Sequence, residues 1–158
     1  MSQEEIQKRL KLMEENCLFC KIVKKEINAQ VIFEDEICLA ILDINPATKG
    51  HMLLMPKKHH MIFPTLPDDL IAHMSIISKY LTDLVCESLG ANDVLVYSAN
   101  GAAAGQQAHH YMMHLIPQYT EEEFKIDTNS EDIEESIMNE IKEKMISKIN
   151  KLNEQIKN

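Results

Sequence analysis

The sequence predicts an α+β domain with a central antiparallel sheet and helical segments at both ends. Three observations predict it. Short apolar runs separated by tight polar turns follow one another between residues 31 and 55, a meander pattern and not an alternation of strands with helices. One long amphipathic pattern, 67–89, then interrupts the strands. After it come a fourth strand and a run in which histidines alternate, 109–116, so that side chains two apart share one sheet face.

The elements follow in order. In residues 3–15, Ile6, Leu10 and Met13 stand four and three apart among Glu, Gln, Lys and Arg, which makes a short amphipathic helix. Cys17-Leu-Phe-Cys20 comes next. Val31-Ile-Phe33 is a strand that ends at the acidic turn Glu34-Asp-Glu36, and Ile37 to Leu42 is a second that ends at Asp43-Ile-Asn-Pro46. His51 to Met55 forms the third and runs into Pro56. Pro67-Asp-Asp opens the main helix, Ile71, Met74, Ile77, Leu81 and Val85 line its apolar face, and Gly90 closes it. Val94 to Tyr97 is the fourth strand, followed by the small-residue loop from Ala99 to Gly105 and the histidine strand. Residues 120–130 read as a polar linker. From 130 onward Ile133, Ile137, Ile141, Met145, Ile149, Leu152 and Ile156 recur every three or four residues, giving a helix of about 25 residues, roughly 37 Å long. Its single apolar stripe suits packing on its own domain or, more in keeping with that length, a partner or a second copy of the chain. The organisation expected is an N-terminal helix over 1–16, a domain over 17–119, and a linker with a long helix over 120–158.

A chain of 158 residues, 45% hydrophobic, is long enough for one well-buried core. The net charge of −9 argues against a general nucleic-acid or anionic-membrane binder. No apolar run reaches the roughly 18 residues of a membrane helix. The charged N-terminus does not read as a signal peptide, and with four cysteines the expected setting is a reducing cytoplasm.

Cys17-x-x-Cys20 followed at a distance by histidines is a zinc pattern, since two thiolates and two imidazoles complete a tetrahedron. The candidate imidazoles are His59 and His110, with His60 and His109 beside them. The plainer reading is a pair of reduced core thiols. A thioredoxin-like redox motif fits less well, because no clear strand-to-helix passage surrounds the cysteines. Cys38 and Cys86 lie in apolar contexts as buried thiols, and His51 and His73 show no partner pattern and read as structural or surface residues.

These motifs converge. Cys17-x-x-Cys20-Lys-Ile-Val, Ala40-Ile-Leu-Asp43-Ile-Asn-Pro46, Gly50-His-Met-Leu-Leu-Met-Pro56-Lys-Lys-His59, and Asn100-Gly-Ala-Ala-Ala-Gly105-Gln106 with His110 and His114 stand in one order. Over roughly residues 17–120 the chain resembles the histidine triad (HIT) family, in its zinc-containing branch. The resemblance implies a HIT-like fold, a homodimer, and a purine nucleotide or similar small phosphate-containing molecule as ligand. It implies a structural Zn2+ on Cys17, Cys20, His59 and His110. It places Asp43 at the ribose, Ile44 beside the base, and Asn100, Gly105 and Gln107 in the loop that meets the phosphate, with His114 at the phosphate too.

The chain departs from the family at its centre. The middle histidine of the triad, the family's nucleophile, is Met112. That imidazole forms a covalent nucleotidyl intermediate, whereas a thioether does not titrate near neutral pH and forms no stable phosphoryl adduct. Ala99 stands where the family commonly has Asn, and His109 replaces the usual Pro or aromatic residue. Three functions follow. The favoured one is nucleotide binding without the usual hydrolysis. The second is a hydrolase or transferase working by another route through His114, with Met112 touching the substrate. The third is a zinc-stabilised dimeric scaffold that acts through its C-terminal helices.

Overall fold

The computed structural model describes residues 2–120 and 132–156, with side chains in the final helix up to residue 149. The chain divides into two units, 1–124 and 125–158. In the first, helices α1 (Gln3–Asn16) and α2 (Leu18–Val23) precede strands β1 (Val31–Glu34), β2 (Cys38–Leu42) and β3 (Met52–Pro56). Helix α3 (Asp68–Leu89) and strands β4 (Asp93–Tyr97) and β5 (Met113–Gln118) complete it. The five strands form one antiparallel sheet in the order β1-β2-β3-β5-β4. The α+β class expected from the sequence is the class observed.

Alternation sorts the strand residues between two faces. On one face, Cys38, Ala40, Met52, Leu54 and Leu115 pack with Met74, Leu81 and Val85 of α3. On the other, Leu39, Ile41, Leu53, Met55 and Met112 meet Phe19, Ile22 and Val23 of α2. Burying one such side chain is worth about 1.5–3 kcal/mol, so this two-sided filling holds the strands in register. A slip of one residue would exchange the two sets. The second face carries the histidines discussed below.

Local chemistry sets the element ends. Ser2 caps α1 through a reciprocal pair: its hydroxyl accepts from the Glu5 amide at 3.2 Å, and its own amide donates to Glu5 Oε2 at 2.7 Å. Gly90 ends α3 in the left-handed conformation, φ 71°. Gly50, at φ 84°, lies so close to α3 that a Cβ there would come within 2.5 Å of Leu89 Cδ1. Glycine therefore delivers His51 to the start of β3.

Two elements differ from the sequence reading. Cys17 opens a six-residue helix, α2, which is too short to show a helical period. The histidine strand begins at Met113 and not at 109, because residues 109–112 run alongside 56–60 with the Tyr111 amide donating to the His60 carbonyl at 2.6 Å. In the second unit, α4 (Glu135–Ile156) exposes Ile137, Met138, Ile141, Met145 and Ile149. Apart from residue 120, the stretch expected as a linker lies outside the described residues.

Candidate metal cluster and ligand pocket

The turn into α2, the segment after β3 and the segment before β5 bring Cys17, Cys20, His59 and His110 together. His110 Nδ1 lies 3.4 Å from Cys17 Sγ and 3.6 Å from Cys20 Sγ, and His59 Nδ1 lies 3.3 Å from Cys20 Sγ. Donors about 2.0–2.3 Å from a tetrahedral centre stand about 3.3–3.8 Å apart, so the donor set fits one zinc ion. His110 is fully buried and donates Nε2–H to the Pro56 carbonyl at 2.8 Å. That bond leaves Nδ1 unprotonated toward the sulfurs, as outer carbonyls do for metal-bound imidazoles. Burial drives the Cys20 thiol up to about 12, helped by Cys17, and drives His110 down to about 4. A cation entering the cluster would displace thiol protons. His60 and His109, named as neighbours, are outside the four-residue group.

The second histidine group lies at the other end of β3. His114 on β5 is paired with Leu53 on one side and Tyr97 on the other, so it shares the face that carries Met112. The Tyr97 ring stacks on its imidazole, 4.7 Å between centroids and 9° from parallel. His114 Nδ1 meets His51 Nε2 at 3.1 Å. His51 is buried; its Nδ1 accepts from the Ala47 amide at 3.2 Å and lies 3.5 Å from Asp43 Oδ2. Desolvation holds both imidazoles below the usual histidine range, with the Asp43 charge pulling the other way. Asp43 is fixed by its own turn, Oδ1 accepting from the Asn45 amide at 2.9 Å.

His51, read from the sequence as a structural or surface residue without a partner, is buried and joins Asp43 to His114, a link that depends on the pairing of β3 with β5. Ile44 stands out at 86% exposed beside Asp43. Gly105 turns the chain at φ 82° after the short turn Ala102–Ala104. Asn100 is committed to the protein: its Oδ1 accepts from the Phe63 amide at 2.7 Å and its Nδ2 donates to Ser98. Gln107 is exposed and lines a groove with Leu12, Cys17, Phe19 and His109. The neighbouring Gln106 holds the loop, accepting from the Gly101 amide at 2.7 Å and donating to the Met61 and Ala108 carbonyls at 2.7 and 2.8 Å. Met112 is buried among Leu39, Ile41, Leu53 and Met55.

A five-stranded antiparallel sheet with histidines grouped opposite its long helix defines a HIT-like protein, and comparison with known proteins agrees. The HIT domain matches residues 24–121, and the chain belongs to the HIT family. It is 45% identical over 103 residues to an uncharacterised HIT-like protein of Methanocaldococcus jannaschii, covering 65% of this chain and 79% of that one. It is 36% identical over 107 residues to the adenosine 5'-monophosphoramidase of Schizosaccharomyces pombe, covering 68% and 77%. A zinc-bound histidine triad protein of Mycobacterium smegmatis superposes with a TM-score of 0.68 at 30% identity, covering 75% of this chain and 86% of that one. Among the described residues no helix is long and apolar enough to cross a membrane.

Proposed function

We propose that this chain binds a purine nucleotide or a closely related phosphate-containing molecule, and that it does so without the family's histidine-nucleophile turnover. The observation that carries this reading is the packing of Met112. A thioether in the apolar cluster of Leu39, Ile41, Leu53 and Met55 stands where the nucleophile would be, beside an Asp43–His51–His114 group that keeps its polar connections.

The tautomers give His114 its role. The Ala47 amide donates to His51 Nδ1, so neutral His51 carries its proton on Nε2 and donates to His114 Nδ1. His114 then presents Nε2–H. Protonating His51 turns its Nδ1–H to Asp43 and leaves that arrangement at His114 unchanged. In both states His114 offers a hydrogen-bond donor, which suits a phosphate oxygen and is wrong for a nucleophile. Asp43 can accept from sugar hydroxyls through the capacity its turn leaves free, and the exposed Ile44 can lie against a base. The S. pombe relative's adenosine monophosphate chemistry supports adenine as the first base to test.

The same proposal assigns a structural zinc to Cys17, Cys20, His59 and His110, on the donor spacing above and the zinc-bound relative from M. smegmatis. A closed four-ligand zinc supplies folding energy and no reacting group. Pairing of two chains, and a division into N-terminal helix, HIT domain and C-terminal extension, complete the reading. One observation favours the second route: Asp43 Oδ2 lies 3.5 Å from His51 Nδ1. If neutral His51 carried its proton there, His114 would present a lone pair and could act as a base. Nitrogen-15 shifts of the two imidazoles separate the tautomers. Calorimetric titration with AMP, paired with an assay for adenosine phosphoramidate cleavage, tests the function: binding without product supports it, and rapid cleavage by the unmodified chain contradicts it.

A further inference from the structure

On the opposite side of the sheet, away from both histidine groups, Asp35, Cys38 and His73 meet where the β1–β2 hairpin packs on α3. Their ligating atoms, a carboxylate oxygen, a thiol sulfur and an imidazole nitrogen, all lie within 4.8 Å of one another. Asp35 comes from the hairpin turn, Cys38 from the first position of β2, and His73 from the second turn of α3. We propose that these three residues form a second metal site, taking a thiolate-accepting divalent cation such as zinc and leaving its fourth position to water or a small ligand.

Three features carry the assignment. The first is the donor set: one sulfur, one nitrogen and one oxygen make the mixed coordination that zinc accepts, and three protein donors leave an open position. Cys38 and Asp35 together bring two negative charges when ligating, which matches a divalent ion. The second is preorganisation. Asp35 Oδ1 is held by the Ile37 and Cys38 amides, each at 2.7 Å, which leaves Oδ2 to point at His73 Nε2; those two atoms, hydrogen-bonded at 2.7 Å, would part by about 0.6 Å to share an ion. An ion would take the place of the proton shared by carboxylate and imidazole. The third is access. Cys38 is fully buried, while the His73 and Asp35 side chains are 31% and 27% exposed, so the sulfur sits at the back of a site that opens to solvent through the other two. A cation entering the site would displace the Cys38 thiol proton. The bound ion would fasten the hairpin to α3, joining parts of the chain that share no covalent neighbour.

The test uses the full chain, loaded with zinc and desalted, with zinc per chain measured in the unmodified protein and in two variants. His73→Gln removes the nitrogen ligand but keeps an amide able to donate to Asp35, so the apo contact survives. Cys38→Ser removes the thiolate. The expected result is one zinc fewer per chain in each variant than in the unmodified protein. In cobalt-substituted protein, the thiolate-to-metal absorption should fall by about one third in Cys38→Ser, from three ligating sulfurs to two. Equal zinc in the unmodified protein and His73→Gln would overturn the proposal. Asp35 and His73 would then be a hydrogen-bonded clamp only, and any additional ion would belong elsewhere, the Asp43–His51–His114 group included. Because His73→Gln is read as a difference, loss of the cysteine–histidine zinc in every sample would leave the comparison intact.

Discussion

The two histidine groups at the ends of β3 are closed in different ways. At the exit, His110 donates to the Pro56 carbonyl and turns its other nitrogen to two sulfurs, inside a cluster whose members face one another. At the entrance, His51 and His114 share one hydrogen bond through His114 Nδ1, and the Tyr97 ring stacks on the His114 imidazole. The first arrangement is a closed set of four donors; the second has Met112 where the family's middle imidazole stands. A fold can thus keep the hydrogen-bonded framework Asp43–His51–His114 while a neighbouring position on the same face carries a thioether.

The comparison breaks most visibly at Met112. Met112→His puts an imidazole on the face that carries His114, and adenosine phosphoramidate cleavage is expected to appear in the variant alone. Removing a nucleophile from an enzyme costs a factor of about 10⁶, so a gain of several orders of magnitude is in reach. Equal rates in variant and unmodified protein would show that position 112 does not set turnover. At the other group, Cys20→Ala should leave the chain unable to retain zinc and lower its melting temperature by about 10 °C or more, a loss of a few kcal/mol for a domain of this size. An unchanged melting temperature in a zinc-loaded comparison would remove the structural role.

The groups also part company in acid. In metal-free protein, the unfolded chain binds the His110 proton near the ordinary histidine value of 6.5, the folded chain only near 4. Between those values the unfolded state holds more protons, so stability falls as the pH is lowered, by about 3 kcal/mol in all for this group. His51, His59 and His114 are shifted in the same direction and add to the loss. Denaturant midpoints of chelated protein at pH 7 and pH 5 check this; a midpoint that rises on acidification would contradict it. The smallest effect belongs to ligand contact. His114→Ala should weaken AMP binding about tenfold, the worth of one hydrogen bond to a charged group, while leaving zinc content unchanged. Identical affinities would show that His114 does not touch the phosphate.

Much of the fold was legible because its signals are local. Short apolar runs bounded by polar turns marked β2 and β3, and the spacing of Ile71, Met74, Ile77, Leu81 and Val85 marked α3. Signals that depend on pairing were not. Helix α2 is shorter than two helical turns, so its six residues carry no readable period. The start of β5 was misplaced because alternating histidines look like strand whether or not a neighbour bonds to them, and residues 109–112 follow the 56–60 segment instead. The Cys-x-x-Cys spacing pointed to its own cluster, with His59 and His110 as candidate partners that the family resemblance singled out again and the structure places beside it. His51 was invisible for a physical reason: its partners, Asp43 and His114, reach it through a hairpin turn and through the β3–β5 register. His73 was missed likewise, since Asp35 is 38 residues away in sequence.

The most direct test of the central claim is one calorimetric experiment on the unmodified protein, zinc-loaded and titrated with AMP, with the same sample then incubated with adenosine phosphoramidate. Saturable micromolar binding and no product above the uncatalysed rate are expected. Absence of binding at millimolar AMP, or multiple turnovers of the phosphoramidate, would contradict that claim.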